Sequence, residues 1–102
     1  MREWIVTNGI GGYSSLTNQN INTRKYHGLL VSSLNPPTER WVFVSNIYDK
    51  LIIGNKNYRL RDFKPIFNFD YIPNFIYDIS GVKIKKSVLM QHGKNTTIIK
   101  YQ

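Results

Sequence analysis

Turn signals punctuate this chain so often that no stretch of ten or more residues carries helical spacing, which leaves short strands joined by tight connections as the available fold. Lys50 to Ile53 and Asn57 to Leu60 flank Gly54-Asn55-Lys56, and Phe75 to Ile79 and Val82 to Met90 flank Ser80-Gly81. Each arrangement is a hairpin signal, two β-rich runs on either side of residues that tolerate the turn. Further strands are expected at Trp4 to Thr7, Tyr26 to Ser33, Arg40 to Tyr48 and Thr96 to Tyr101, with Asn35-Pro36-Pro37 ending the second of these. Residues 8 to 24 read as loop. Arg61 to Asn74 reads as a long connection packed by Phe63, Phe67, Phe69 and Tyr71, and His92 to Asn95 as a turn. In the run from Val82 to Met90, alternation puts Val82, Ile84, Val88 and Met90 on one face, and Lys86 interrupts that apolar face.

Sequential hairpins cannot form a parallel sheet, so an all-β, antiparallel β-sandwich is expected. The chain of 102 residues allows one domain at most, and its 41% hydrophobic and 14% aromatic content is enough apolar surface to fold. The sequence stops inside an apparent strand, so we expect only the first portion of a larger sandwich. An uncovered apolar face or strand edge would then invite a second chain, and a homodimer or higher assembly is expected.

Composition excludes several chemistries. Without cysteine there is no disulfide, thiolate metal site or cysteine nucleophile. The charged N-terminus lacks the apolar core of a secretory signal, and no apolar run approaches the roughly 20 residues of a membrane helix, so a soluble cytoplasmic protein is expected, without a membrane partner. Fourteen Lys plus Arg against six Asp plus Glu give +8, but the cations are spread along the chain rather than gathered in a block. No RNP1-like run accompanies the aromatics, and a nucleic-acid partner is the least favoured reading.

The six carboxylates, Glu3, Glu39, Asp49, Asp62, Asp70 and Asp78, fall near strand ends or in connections and form no recognisable acid and base pair. His27 and His92 make no local ligand pair, and Ser32-Ser33 and Ser45 lack a nucleophile elbow. No catalytic residue, metal site or cofactor is therefore expected. Asn8-Gly9-Ile10-Gly11-Gly12-Tyr13 lacks the spacing of a dinucleotide fingerprint and the Gly-Lys-Ser/Thr of a phosphate loop, so a close-packed turn is the better reading. Asn22-Thr23-Arg24-Lys25-Tyr26-His27-Gly28 gathers amide, guanidinium, phenol and imidazole groups just before a strand. Such groups suit sugar hydroxyls or a partner's carboxylates, or they satisfy the loop's own backbone.

Trp4 to Ser15 (WIVTNGIGGYSS) followed by Asn22 to Val31 (NTRKYHGLLV) resembles the start of the bacterial and archaeal type of glycogen debranching enzyme, the amylo-α-1,6-glucosidase-related family. Asn35-Pro36-Pro37, Arg40, Gly81-Val82 and Met90 to Thr97 follow in the same order, so the resemblance spans nearly the whole chain. It implies a supersandwich-type N-terminal domain, of which residues 1–102 are a part. It also implies that α-1,6 branch hydrolysis in glycogen belongs to a following (α/α)-barrel domain without counterpart here, so the chain alone is expected to be inactive. On polar chemistry and loop position, Asn8, Tyr13, Asn22, Arg24, Tyr26 and His27 are the candidates for a surface facing that catalytic domain or the rim of its sugar site. The expected partners are accordingly the barrel domain and an α-glucan. A stand-alone carbohydrate-binding or assembly module is the first rival reading.

Overall fold

The computed structural model describes residues 3–24, 27–35 and 39–102, and only the backbone of 33–35, 39–41 and 43. Four strands, β1 (Glu3–Thr7), β2 (Tyr13–Thr17), β3 (Gly28–Asn35) and β4 (Glu39–Val44), form one sheet in chain order. A hairpin of β5 (Lys50–Ile53) and β6 (Lys56–Arg59) and a single 3-10 turn at Leu60–Asp62 lead to the second sheet. That sheet comprises β7 (Ile66–Phe69), β8 (Pro73–Ile79), β9 (Val82–Met90) and β10 (Thr97–Tyr101), ordered β10-β9-β8-β7. Every pairing is antiparallel, as successive hairpins require.

Both expected hairpins form. Ile53 pairs with Lys56 across the two-residue turn Gly54-Asn55, and Ile79 pairs with Val82 across Ser80-Gly81. Ser80 and Gly81 have φ of 51° and 81°, the positive pair that a type I′ turn needs and that matches the twist of the strands it joins.

The sheets pack face to face. Trp4, Leu16 and Leu29 of the first meet Phe75, Tyr77, Ile79 and Val88 of the second, and Leu60 joins the same buried cluster. Period-2 alternation aims these side chains inward: Trp4 and Leu16 are direct cross-strand partners, and Phe75, Tyr77 and Ile79 are every second residue of β8. The rings of Trp4 and Phe75 meet edge to face at 6.0 Å across the interior.

Three expectations need correcting. Residues 8 to 24 are not one loop, because Tyr13–Thr17 is a strand. Its sequence, YSSLT, hides this: Ser14, Ser15 and Thr17 are polar yet buried, and Ser15 Oγ donates to the Trp4 carbonyl at 2.6 Å. Likewise the connection from Arg61 to Asn74 contains β7, whose Phe67 pairs with Phe75 and places its ring 5.3 Å from it. The expected strand to Tyr48 ends at Val44 instead. Pro36 and Pro37 lie outside the described residues.

Candidate functional site

The candidate residues separate into two clusters at opposite ends of β1. At its C-terminal end the chain turns through residues 8–12, and Asn8 organises the turn. Its Oδ1 accepts the backbone N–H groups of Ile10 and Gly12, both at 3.0 Å. Its Nδ2 donates to the Lys94 carbonyl at 3.0 Å and to Asn95 Oδ1 at 2.8 Å, and its carbonyl accepts the N–H of Gly93. Asn8 is fully buried with its amide used on both sides, so it clamps this loop to the turn at residues 92–95. The glycines make the contact possible. Gly9 has φ of +81°, and a Cβ there would lie 2.4 Å from the His92 ring; at Gly12 it would lie 2.5 Å from Asn8 Nδ2. Tyr13 opens β2 beside this turn, half-buried and paired with Thr7.

At the other end of β1, Glu3 stands on the outer face of the sheet and collects the second cluster. Arg24 Nε donates to Glu3 Oε1, and His27 Nε2 lies 3.1 Å from the same oxygen. Buried His27 accepts the N–H groups of Thr23 at 2.9 Å and Arg24 at 3.1 Å on Nδ1. An accepting Nδ1 carries no proton, so the ring proton sits on Nε2, toward the carboxylate. His27 therefore holds the backbone of Thr23 and Arg24, while the Arg24 side chain remains more than half exposed. Asn22 fastens the same loop to the strand exit after β4: its Nδ2 donates to the Ser45 carbonyl at 3.0 Å, and its Oδ1 accepts from Asn46 Nδ2 at 2.7 Å. Asn46 also donates to the Asn20 carbonyl at 3.0 Å. Tyr26, the sixth candidate, lies outside the described residues.

Five residues of extended chain span about 17 Å, so the two motifs that stand close in sequence are held roughly that far apart. The side chains of Arg24 and His27 meet at Glu3, which nothing in the spacing of the sequence singles out.

A third cluster was signalled only by the interrupted alternation of β9. Lys86, 2% exposed, extends its Nζ to within 2.8 Å of Asp49 Oδ2, and Tyr101 donates its hydroxyl to the same oxygen. The ammonium also lies 6.0 Å from the Tyr101 ring. Burial, and then the Asp49 carboxylate, push the Tyr101 phenol well above its ordinary range. Asp49 and Tyr101 form one wall of an open cleft of about 450 Å³ whose other walls include Leu51, Leu60 and Ile84.

The described carboxylates are thus mostly engaged: Glu3 with Arg24 and His27, Asp49 with Lys86 and Tyr101, Asp62 with Arg59 at 3.0 Å, and Asp70 with its own turn. Among the described residues no group of three His, Asp or Glu side chains is placed to hold a metal ion. No helix among them is long and apolar enough to cross a membrane. The family model described as glycogen debranching enzyme N terminal matches residues 2–102. No curated protein and no solved structure matches the chain.

Proposed function

Because the chain belongs to the glycogen debranching enzyme N-terminal family, we propose that it is a non-catalytic β-sandwich that supports an α-1,6-glucan-hydrolysing domain and presents its 22–28 loop to that domain or to the rim of its sugar site. The observation that carries the reading is the use of its carboxylates. A glycosidase needs two carboxyl groups opposed across the scissile bond, one to protonate and one to attack or activate water. Here Glu3 and Asp49 are each held by a cation and a second polar group, and Asp62 by a cation, which suits structure rather than proton transfer.

The rim fits recognition. Arg24 is exposed but fixed by Glu3, and Asn22 and Asn46 lock the loop beneath it, so a guanidinium is presented without much further loss of freedom on binding. A planar guanidinium of this kind suits either a carboxylate on a neighbouring domain or the hydroxyls of a glucan. On this reading the protein works in the cytoplasm and its partners are a catalytic barrel domain and an α-glucan. Asn8 and His27 act as positioning residues, holding the backbone that carries the contacts.

The test is Arg24→Ala in a complete debranching enzyme that carries this domain, with branch hydrolysis and thermal unfolding measured together. A lower kcat/KM with an unchanged melting temperature is expected. Unchanged kinetics with unchanged stability would sink the proposal.

A further inference from the structure

The edge of the first sheet points to a second copy of this chain. β1 is an outermost strand, and its pairing with β2 runs through five consecutive residue pairs without a bulge. Strands in that position are ordinarily protected by Lys, Pro, a bulge or a covering segment. The other edges have such protection: β4 pairs with β3 through register shifts, β10 includes Lys100, and the four-residue β7 follows Lys64-Pro65. In β1 the one charged residue, Glu3, is already engaged by Arg24.

Below this edge lie two hollows of about 320 and 380 Å³, the first walled by Trp4, Phe67 and Phe69 and the second by Tyr71, Ile72 and Met90, with Ile5 common to both. Neither contains a Lys or Arg, although the chain has 14. Ile5 is 54% exposed and Tyr71 95%. A strip lined without Lys or Arg, on a chain of net charge +8, is a surface that a second copy can approach with little cation–cation repulsion.

We propose that β1 pairs antiparallel with β1 of a second copy about a two-fold axis through Ile5, joining the two first sheets into one and roofing the hollows over Phe67 and Phe69. The register follows from the sequence. All five residues find partners only if Ile5 faces the partner's Ile5, Trp4 faces the partner's Val6, and Glu3 faces the partner's Thr7. Inward side chains then meet inward ones, and no charge opposes a like charge. An isologous contact of this kind closes on itself and stops at a dimer.

Sedimentation equilibrium of the full chain in about 0.15 M salt, where exposed charges are screened beyond roughly 8 Å, tests both the edge and the register, with circular dichroism to confirm that each variant is folded. The wild-type chain is expected to dimerise and Ile5→Lys to be monomeric, since the axis brings two ammonium groups together. Thr7→Lys sets a cation opposite the partner's Glu3 and should keep the dimer, whereas Thr7→Glu should weaken it at least about tenfold. A monomeric wild type, a dimer that survives Ile5→Lys, or equal effects of the two Thr7 variants would overturn the proposal.

Discussion

Lys86 reaches Asp49 from inside the sandwich, its Nζ 2.8 Å from Oδ2, on a strand face shared with Ile84 and Val88. A buried ammonium is stable only while it is paired and hydrogen-bonded, and Asp49 sits nearer the surface, with its side chain 16% exposed. The pair therefore links the segment entering β5 to the middle of the second sheet.

The two halves of that pair should respond unequally. Asp49→Asn leaves the ammonium buried without its counter-charge and should cost about 3–5 kcal/mol. Lys86→Met replaces it with an apolar chain of similar length and leaves a carboxylate that water can reach, so its cost should be smaller. Urea unfolding of the two single variants and the double variant checks this, and equal losses from the single variants would refute it.

Asn8→Ala should cost more than a surface change, because four hydrogen bonds to its side chain are lost within a buried turn, at roughly 0.5–1.5 kcal/mol net for each. Gly9→Ala should destabilise as well, through its positive φ and the His92 ring. Thermal melts of Gly9→Ala alone and with His92→Ala separate these causes: partial recovery in the double variant is expected, and no recovery assigns the loss to the backbone alone.

Asp70 gives the chain an acid-side dependence. Its carboxylate accepts the N–H groups of Ile72 at 3.2 Å and Tyr71 at 2.6 Å, which hold its pKa below the ordinary 3.8. A lowered folded-state pKa means that this contribution is present above pH 3.8 and lost as pH falls through the folded value. Asp70→Asn keeps an acceptor in the turn but cannot titrate, so stability plotted against pH should be flatter below about 3.8 in the variant. Parallel slopes would count against the assignment.

Tyr101 should act at the opposite extreme. Its phenol is raised above the ordinary 10.0 by burial and by Asp49, so its contribution is complete below pH 10.0 and declines as pH rises toward the folded value. Phenolate absorbance should show a late phase above pH 10.0, and Tyr101→Phe should reduce that phase together with part of the alkaline loss of stability. An unchanged late phase in that variant would exclude Tyr101 as its source.

The legible parts of the fold were those written in local chemistry. Gly54-Asn55 and Ser80-Gly81 determine their turns almost by themselves, and the alternation in β9 showed Lys86 as an interruption of its apolar face. β2 was not legible, because Ser14 and Ser15 are small and polar and the run shows no apolar alternation to announce a strand; Ser14, Ser15 and Thr17 are buried because neighbouring segments cover them. Within the candidate site, Asn22, Arg24 and His27 were visible as an unusual polar run, whereas Glu3 and Asn46 were not. Those two lie 21 and 24 residues from the groups they bind, a separation that local reading does not cross.

By itself the sequence determined the strand-and-turn character of the chain, its antiparallel pairing and its family, because turn geometry, side-chain period and motif order are properties of near neighbours. Only the tertiary structure decided that Asn8 and Arg24 serve opposite ends of one strand, that Glu3 ties the loop of His27 to the sheet, and that Asp49 answers Lys86. Each of these depends on which distant segments the sandwich brings within hydrogen-bond reach, and that follows from the packing of two sheets over a common core.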